Sequence, residues 1–308
     1  MIYINKIVLC GLFFSAYLSA FATDLPSDFT FSFKPSLTKK VIISTNSEKV
    51  KNVNGGPSVT DVVNSVIEGK FTSIDNGYIF SSKLIKANLS KNGKSVDDVI
   101  LKSLTDLVVD YKIAKDGTVE EIKGFDRVEM KVRDLVPASA FEAIKLLISQ
   151  ETMAAKEKEE WNGRYAGFSG EKFRIGDNFS FEVPYTLPNG LTLNYSTNVR
   201  FTKWEACPAG MCVRIDIAYT TDNEALSDLV DGVAKDLNTQ NDNSMVKVAM
   251  NSQGIRGHAS RLIDPKTMMI FSERLERTFN IEANSTSSGK QIVSMKENKV
   301  IDYQYISE

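Results

Sequence analysis

Between Phe179 and Thr220 apolar and polar residues alternate through three consecutive segments, and no other stretch constrains the fold as tightly. The apolar set is Phe179, Phe181, Val183, Tyr185 and Leu187, then Leu191, Leu193, Tyr195, Val199 and Phe201, then Met211, Val213, Ile215, Ile217 and Tyr219. Period-two alternation places one face of a strand in a core and the other in water. Three such segments in succession predict an antiparallel meander over 179–220. Leu187-Pro188-Asn189-Gly190 supplies turn chemistry for the first hairpin and pairs Leu187 with Leu191. At the second hairpin, Cys207 and Cys212 flank the tip. Setting them directly opposite one another pairs odd with even positions, which conflicts with the shared apolar face of Phe201 and Met211–Tyr219. A β-bulge between Thr202 and Glu205 would absorb the extra residue and turn Trp204 to the apolar side. The alternative places both cysteines in an irregular loop outside the ladder.

The chain has 308 residues. Residues 1–22 run from Lys6 through an apolar stretch to Ala20-Phe21-Ala22, the pattern of a secretory signal peptide cleaved after Ala22, with a retained anchor as the alternative. Lys6 is the only charge in that segment, so residues 23–308 carry 36 basic and 39 acidic residues. Near-balance argues against a nucleic-acid binder. No later stretch is apolar and long enough to cross a bilayer as a helix. In an exported chain the two remaining cysteines predict a Cys207–Cys212 disulfide.

Elsewhere Phe29–Phe33 and Lys40–Thr45 read as strands. Ser58 and Asp61 form a capping-box pattern ahead of Val59, Val62, Val63, Val66 and Ile67, predicting a helix with Gly69 at its C-terminal cap. The β-branched residues leave a strand open. Asp75-Asn76-Gly77 marks a hairpin, and Ser95 with Asp98 repeats the helix-start pattern. Leu107–Ile113 and Thr118–Lys123 read as a further strand pair. A helix capped by Asp134, with Phe141, Ile144, Leu147 and Ile148 as its stripe, is expected to end at Trp161, and 162–170 to form a loop and the most plausible seam. Thr221 and Glu224 open another expected helix. Strands are expected at Met245–Met250, Ile255–Ile263, Met269–Ile281, Gln291–Met295 and Val300–Ile306. The sum is an α+β fold: a large curved antiparallel sheet partly covered by amphipathic helices, built as one domain over 23–308.

Catalytic signals are sparse. His258 is the single histidine; on a strand, with no adjacent partner, it reads as a structural or surface residue. Multi-histidine metal sites are excluded by count. Ser-x-x-Lys recurs four times without a supporting context, and no phosphate-binding loop is present. No catalytic, metal or cofactor residue is therefore assigned. Glu273 and Arg277 interrupt the apolar positions of their strand; an inward ion pair or a cavity-lining polar pair is one reading, and a strand end leaving the core is the simpler one.

Lys115-Asp-Gly-Thr-Val-Glu-Glu-Ile-Lys-Gly124, a helical middle, and Ile175-Gly-Asp-Asn-Phe179 opening a sheet resemble uncharacterised secreted bacterial proteins. The order of elements is also similar to that of half-barrel lipoprotein carriers of the bacterial envelope. The resemblance implies an exported, periplasmic or secreted, sheet-rich protein and assigns no functional residue. The expected function is a non-enzymatic envelope protein holding an apolar ligand or lipid on its curved sheet. The alternatives are a module that binds another envelope protein, and a hydrolase using residues not recognised in the sequence.

Overall fold

The computed structural model describes residues 26–98, 101, 104–186, 192–221, 246–247, 255–285 and 289–307. The expected signal peptide, the turn at 187–191 and the helix expected after Thr221 lie outside the described residues. In chain order the elements are β1 (Asp28–Thr30), β2 (Lys39–Val53), β3 (Val59–Ile74), β4 (Gly77–Lys91), β5 (Lys94–Val96), β6 (Val108–Ala114) and β7 (Val119–Lys123). Three helices follow: α1 (Asp126–Leu135), α2 (Ala138–Ile148) and α3 (Gln150–Tyr165). The remaining strands are β8 (Lys172–Arg174), β9 (Asn178–Thr186), β10 (Thr192–Cys207), β11 (Gly210–Thr221), β12 (Val246–Lys247), β13 (Ile255–Ile263), β14 (Ile270–Ser285) and β15 (Gly289–Ser307).

Among the described residues, thirteen strands form one open sheet in the order β7-β6-β4-β3-β2-β15-β14-β13-β11-β10-β9, with β5 and β12 as side additions; β1 and β8 pair separately. Every pairing within the large sheet is antiparallel. The edges suit their positions. Pro184, which has no N–H to donate, sits in edge strand β9, and the opposite edge β7 carries Glu120, Glu121 and Lys123.

The meander is β9-β10-β11. Val199 opposes both Phe179 and Ile217, so the alternating apolar positions share a face. Thr186 opposes Thr192, the register that a Leu187–Leu191 pairing requires. The ladder slips between Phe201 and Lys203, and Trp204 then opposes buried Val213. The Trp204 indole lies 5.5 Å from the Phe29 ring and donates to the Pro26 carbonyl at 2.9 Å. Cys207 and Cys212 are joined by a disulfide with Cα atoms 5.8 Å apart. They are not directly opposed: Cys207 faces Gly210 and Cys212 faces Glu205. The bulge shifts the register by one residue, and a diagonal link supplies the rest of the offset.

Several sequence-based expectations are corrected. Residues 59–74 form β3, not a helix. Val59, Val62, Val63, Val66 and Ile67 are at home on a pleated surface, and Gly69 is no cap: it lies under the Phe80 ring, where a Cβ would collide with the aromatic carbons. The single long helix is three. Asp134 lies within the last turn of α1, which ends because Val136 precedes Pro137 and is extended. Pro137 then precedes α2, and Ser149 caps α3, its hydroxyl accepting from the Thr152 amide. The helix runs past Trp161 to Tyr165, so Asn162–Tyr165 are helical and not loop. Finally, the separate strands at 291–295 and 300–306 are one strand, β15. Ser95 lies in β5, and Asp98 caps the backbone itself, accepting from Leu101 N at 2.9 Å; the rest of that expected helix, and the side chains of Ile144 and Leu147 in the expected α2 stripe, lie outside the described residues.

The helices cover one face of the sheet. Trp161 of α3 packs on Phe80 and Tyr111, with ring centroids 5.5 and 5.4 Å away, and donates to the Gly117 carbonyl at 3.0 Å. The segment before β2 threads the same side. Phe29 meets Phe201 at 5.3 Å, while Phe33 meets Phe71 at 6.2 Å and Tyr165 at 5.5 Å. One short extended segment thus touches both β10 and β3, which lie six strands apart in the sheet order. A flat sheet would hold those strands roughly 29 Å apart at 4.8 Å per step. The sheet must therefore curve around Phe31, which is fully buried.

Candidate functional site: the inner face of the sheet

Opposed residues in an antiparallel ladder share a face, so the register defines rows that cross the inner face. At the helix-covered end, Ile301, Glu273, Arg261, Ile215 and Phe201 form one row, and all are buried. One row outward lie Leu89, Val63, Ser47, Lys299, Leu275 and Ala259. The next row reads Lys91, Asp61, Lys49, Glu297, Arg277, Gly257 and Tyr219. Beyond it are Val59, Lys51, Met295, Phe279 and Ile255. Apolar and charged rows alternate as the strands extend away from α3.

Two ion clusters occupy this face. In the deeper one, Arg261 Nε donates to Glu273 at 2.8 Å and Arg164 of α3 lies 3.6 Å from the same carboxylate. Burial alone would raise the Glu273 carboxyl, but Arg261 and Arg164 outweigh it and hold it at about 2. Tyr303 and Tyr165 flank these charges, and burial raises both hydroxyls. This cluster fixes α3 to the sheet. In the outer cluster, Arg277 Nε donates to Glu297 at 3.0 Å, Lys49 approaches the carboxylate at 3.4 Å, and the Ser47 hydroxyl donates at 3.3 Å. Lys51 pairs with Asp61 at 3.2 Å. Gly257 leaves room for the Tyr219 ring directly above it. Burial pushes the Tyr219 hydroxyl up to about 12 against the pull of Arg277, and its ring meets Tyr195 at 5.9 Å.

The strand does not leave the core at Glu273 and Arg277, as the simpler reading expected: both point inward, but they do not pair with each other, and each takes its partner from a neighbouring strand. His258 lies on the opposite, outer face, exposed between Ala218 and Glu276. Among the described residues no group of three or more His, Cys, Asp and Glu is arranged to hold a metal, and no helix is long and apolar enough to cross a membrane. Sequence reasoning missed Arg164, Arg261, Lys49, Glu297 and Lys299. The run Lys296-Glu297-Asn298-Lys299 looks like a loop when read linearly, because the inner face is itself charged there.

The outer face carries shallow open depressions. One of about 230 Å³ is lined by Asn46, Asn64 and Asn88, directly opposed on three adjacent strands, with Lys86 and Asp302 beside them. These open hollows do not enclose a ligand as a small-molecule site does.

No protein-family model and no curated protein matches this chain. Solved structures to which the chain is similar include lipovitellin, in a study of lipid–protein interactions, at 11% identity and a TM-score of 0.46; the match covers 87% of this chain but only 26% of that one. A candidate lipoprotein from Parabacteroides distasonis is 11% identical, with 90% and 99% of the two chains covered and a TM-score of 0.29. A candidate exported protein with a YmcC-like fold from Bacteroides fragilis is 9% identical, with 87% and 97% covered and a TM-score of 0.23.

Proposed function

We propose that the protein is exported through removal of residues 1–22 and acts without catalysis, holding an apolar ligand or lipid chain against the inner face of its sheet. The observation that carries this reading is the set Val63, Leu89, Leu275, Phe279 and Met295. These half-buried side chains share the inner face with the core, yet lie outside the buried cluster that α3 and the Phe29–Phe33 segment complete. An alternating strand turns apolar residues toward whatever covers them. The disulfide supports an oxidising location.

A fluorescent naphthylamine probe that brightens in apolar surroundings tests this reading. The wild-type protein should bind it and release it to long-chain lipids. Replacing Val63→Asn together with Leu275→Asn should weaken binding at least tenfold, while the thermal unfolding midpoint stays within a few degrees. Undiminished binding by the double variant would move the ligand elsewhere.

A further inference from the structure

We infer that Lys299 anchors an anionic headgroup, so that the ligand is an acidic amphiphile. This rests on the apolar-ligand reading above. Lys299 lies on the inner face, half-buried, between Leu275 and Ser47 on the neighbouring strands and between Glu297 and Ile301 on its own. The carboxylates on either side are engaged: Glu273 by Arg261 and Arg164, Glu297 by Arg277 and Lys49. Among the described residues Lys299 forms no hydrogen bond and no ion pair within 4 Å; it acts on the Glu273 carboxylate only through space, as a third cation beside Arg261 and Arg164. A half-buried ammonium whose nearest carboxylate is already bound by two arginines is poorly compensated, and a directly bound anion would complete its pairing.

The surrounding charge has the same sign. From the Lys299 row outward, inner-facing positions carry Lys49, Lys51, Lys91, Arg277 and Lys299 against Asp61 and Glu297. A concave surface with a basic surplus concentrates anions. Leu275, Val63 and Leu89 lie in the same row as Lys299, and Phe279 and Met295 lie two rows further along the strands. A headgroup at Lys299 would therefore place its chain on these residues. A neutral lipid leaves the ammonium without a direct contact, and a cationic one meets repulsion.

The test compares three sixteen-carbon probes on delipidated exported protein by isothermal titration: palmitate, hexadecanol and hexadecylammonium. Palmitate should bind about tenfold more tightly than hexadecanol, the scale of one charge-assisted contact, and hexadecylammonium most weakly. Lys299→Met should bring palmitate down to the hexadecanol level and leave hexadecanol unchanged, and Lys299→Arg should restore the preference. Equal binding of palmitate and hexadecanol, or a preference that survives in Lys299→Met, would overturn the headgroup assignment while leaving the apolar surface intact. Failure of all three probes to bind would overturn the apolar-ligand reading itself.

Discussion

Arg261 donates from Nε to the Glu273 carboxylate at 2.8 Å across the β13–β14 pair, with both residues buried. The contact lies where the helix-filled core gives way to the open inner face. Arg164 joins it from α3, and Arg261 also donates to the Arg164 carbonyl at 3.4 Å. Two guanidinium groups therefore share one buried carboxylate, Arg164 also lying 3.8 Å from Glu160 on its own helix, and the seating of α3 depends on the cluster.

Glu273→Gln should destabilise the protein by roughly 3–5 kcal/mol, because it leaves buried guanidinium charge uncompensated. Glu276→Gln, three residues along on the exposed face, should change stability by less than about 0.5 kcal/mol. Urea unfolding followed by far-UV circular dichroism measures both. Equal effects from the two substitutions would refute the role given to the cluster.

The same carboxylate sets an acid limb. Its folded pKa, about 2, lies below its ordinary value of 4.5. The stabilisation is therefore complete above pH 4.5 and is lost as pH falls toward 2, on the order of 3 kcal/mol in all. Glu157 acts in the opposite direction: burial, then Glu160, raises its carboxyl, so protonation there favours the folded state. In urea titrations at pH 6 and pH 2.5, the stability gap between wild type and Glu273→Gln should shrink at the lower pH. A gap independent of pH would show that Glu273 is not held ionised by the two arginines.

Replacing both Cys207 and Cys212 with Ala should lower stability by about 2 kcal/mol, the loop-closure value for so short a loop, without unfolding the sheet. Cys212 also packs with Leu262 and Phe271 in a small second cluster, so the measured loss should meet or exceed that value. Hydrogen exchange should quicken at 205–214 and stay unchanged in β2 and β3. Faster exchange throughout the sheet would contradict a local role.

The sheet was legible wherever one face is apolar and the other polar, as in β6, β9, β11 and β13. It became illegible where that contrast fails. β3 carries valines on both faces, and spacing alone then mimics a helix. β15 carries charge on both faces at Lys296–Lys299, and the strand resembles a loop. The bulge at Thr202 followed from parity because the disulfide and the alternation made incompatible demands on register. The inner ion clusters could not be read linearly: the β13–β14 register sets Arg261 opposite Glu273, and the packing of α3 on the sheet brings Arg164 to the same carboxylate. Glu273 and Arg277 signalled only that their strand departs from an apolar pattern.

The most direct measurement of the central claim is native mass spectrometry of the exported protein, purified from its own cells without detergent. The account predicts a population heavier than the bare chain by one lipid mass, released as an acidic amphiphile on denaturation. A protein recovered only at its bare mass, which also fails to take up long-chain lipid when this is supplied, would contradict it.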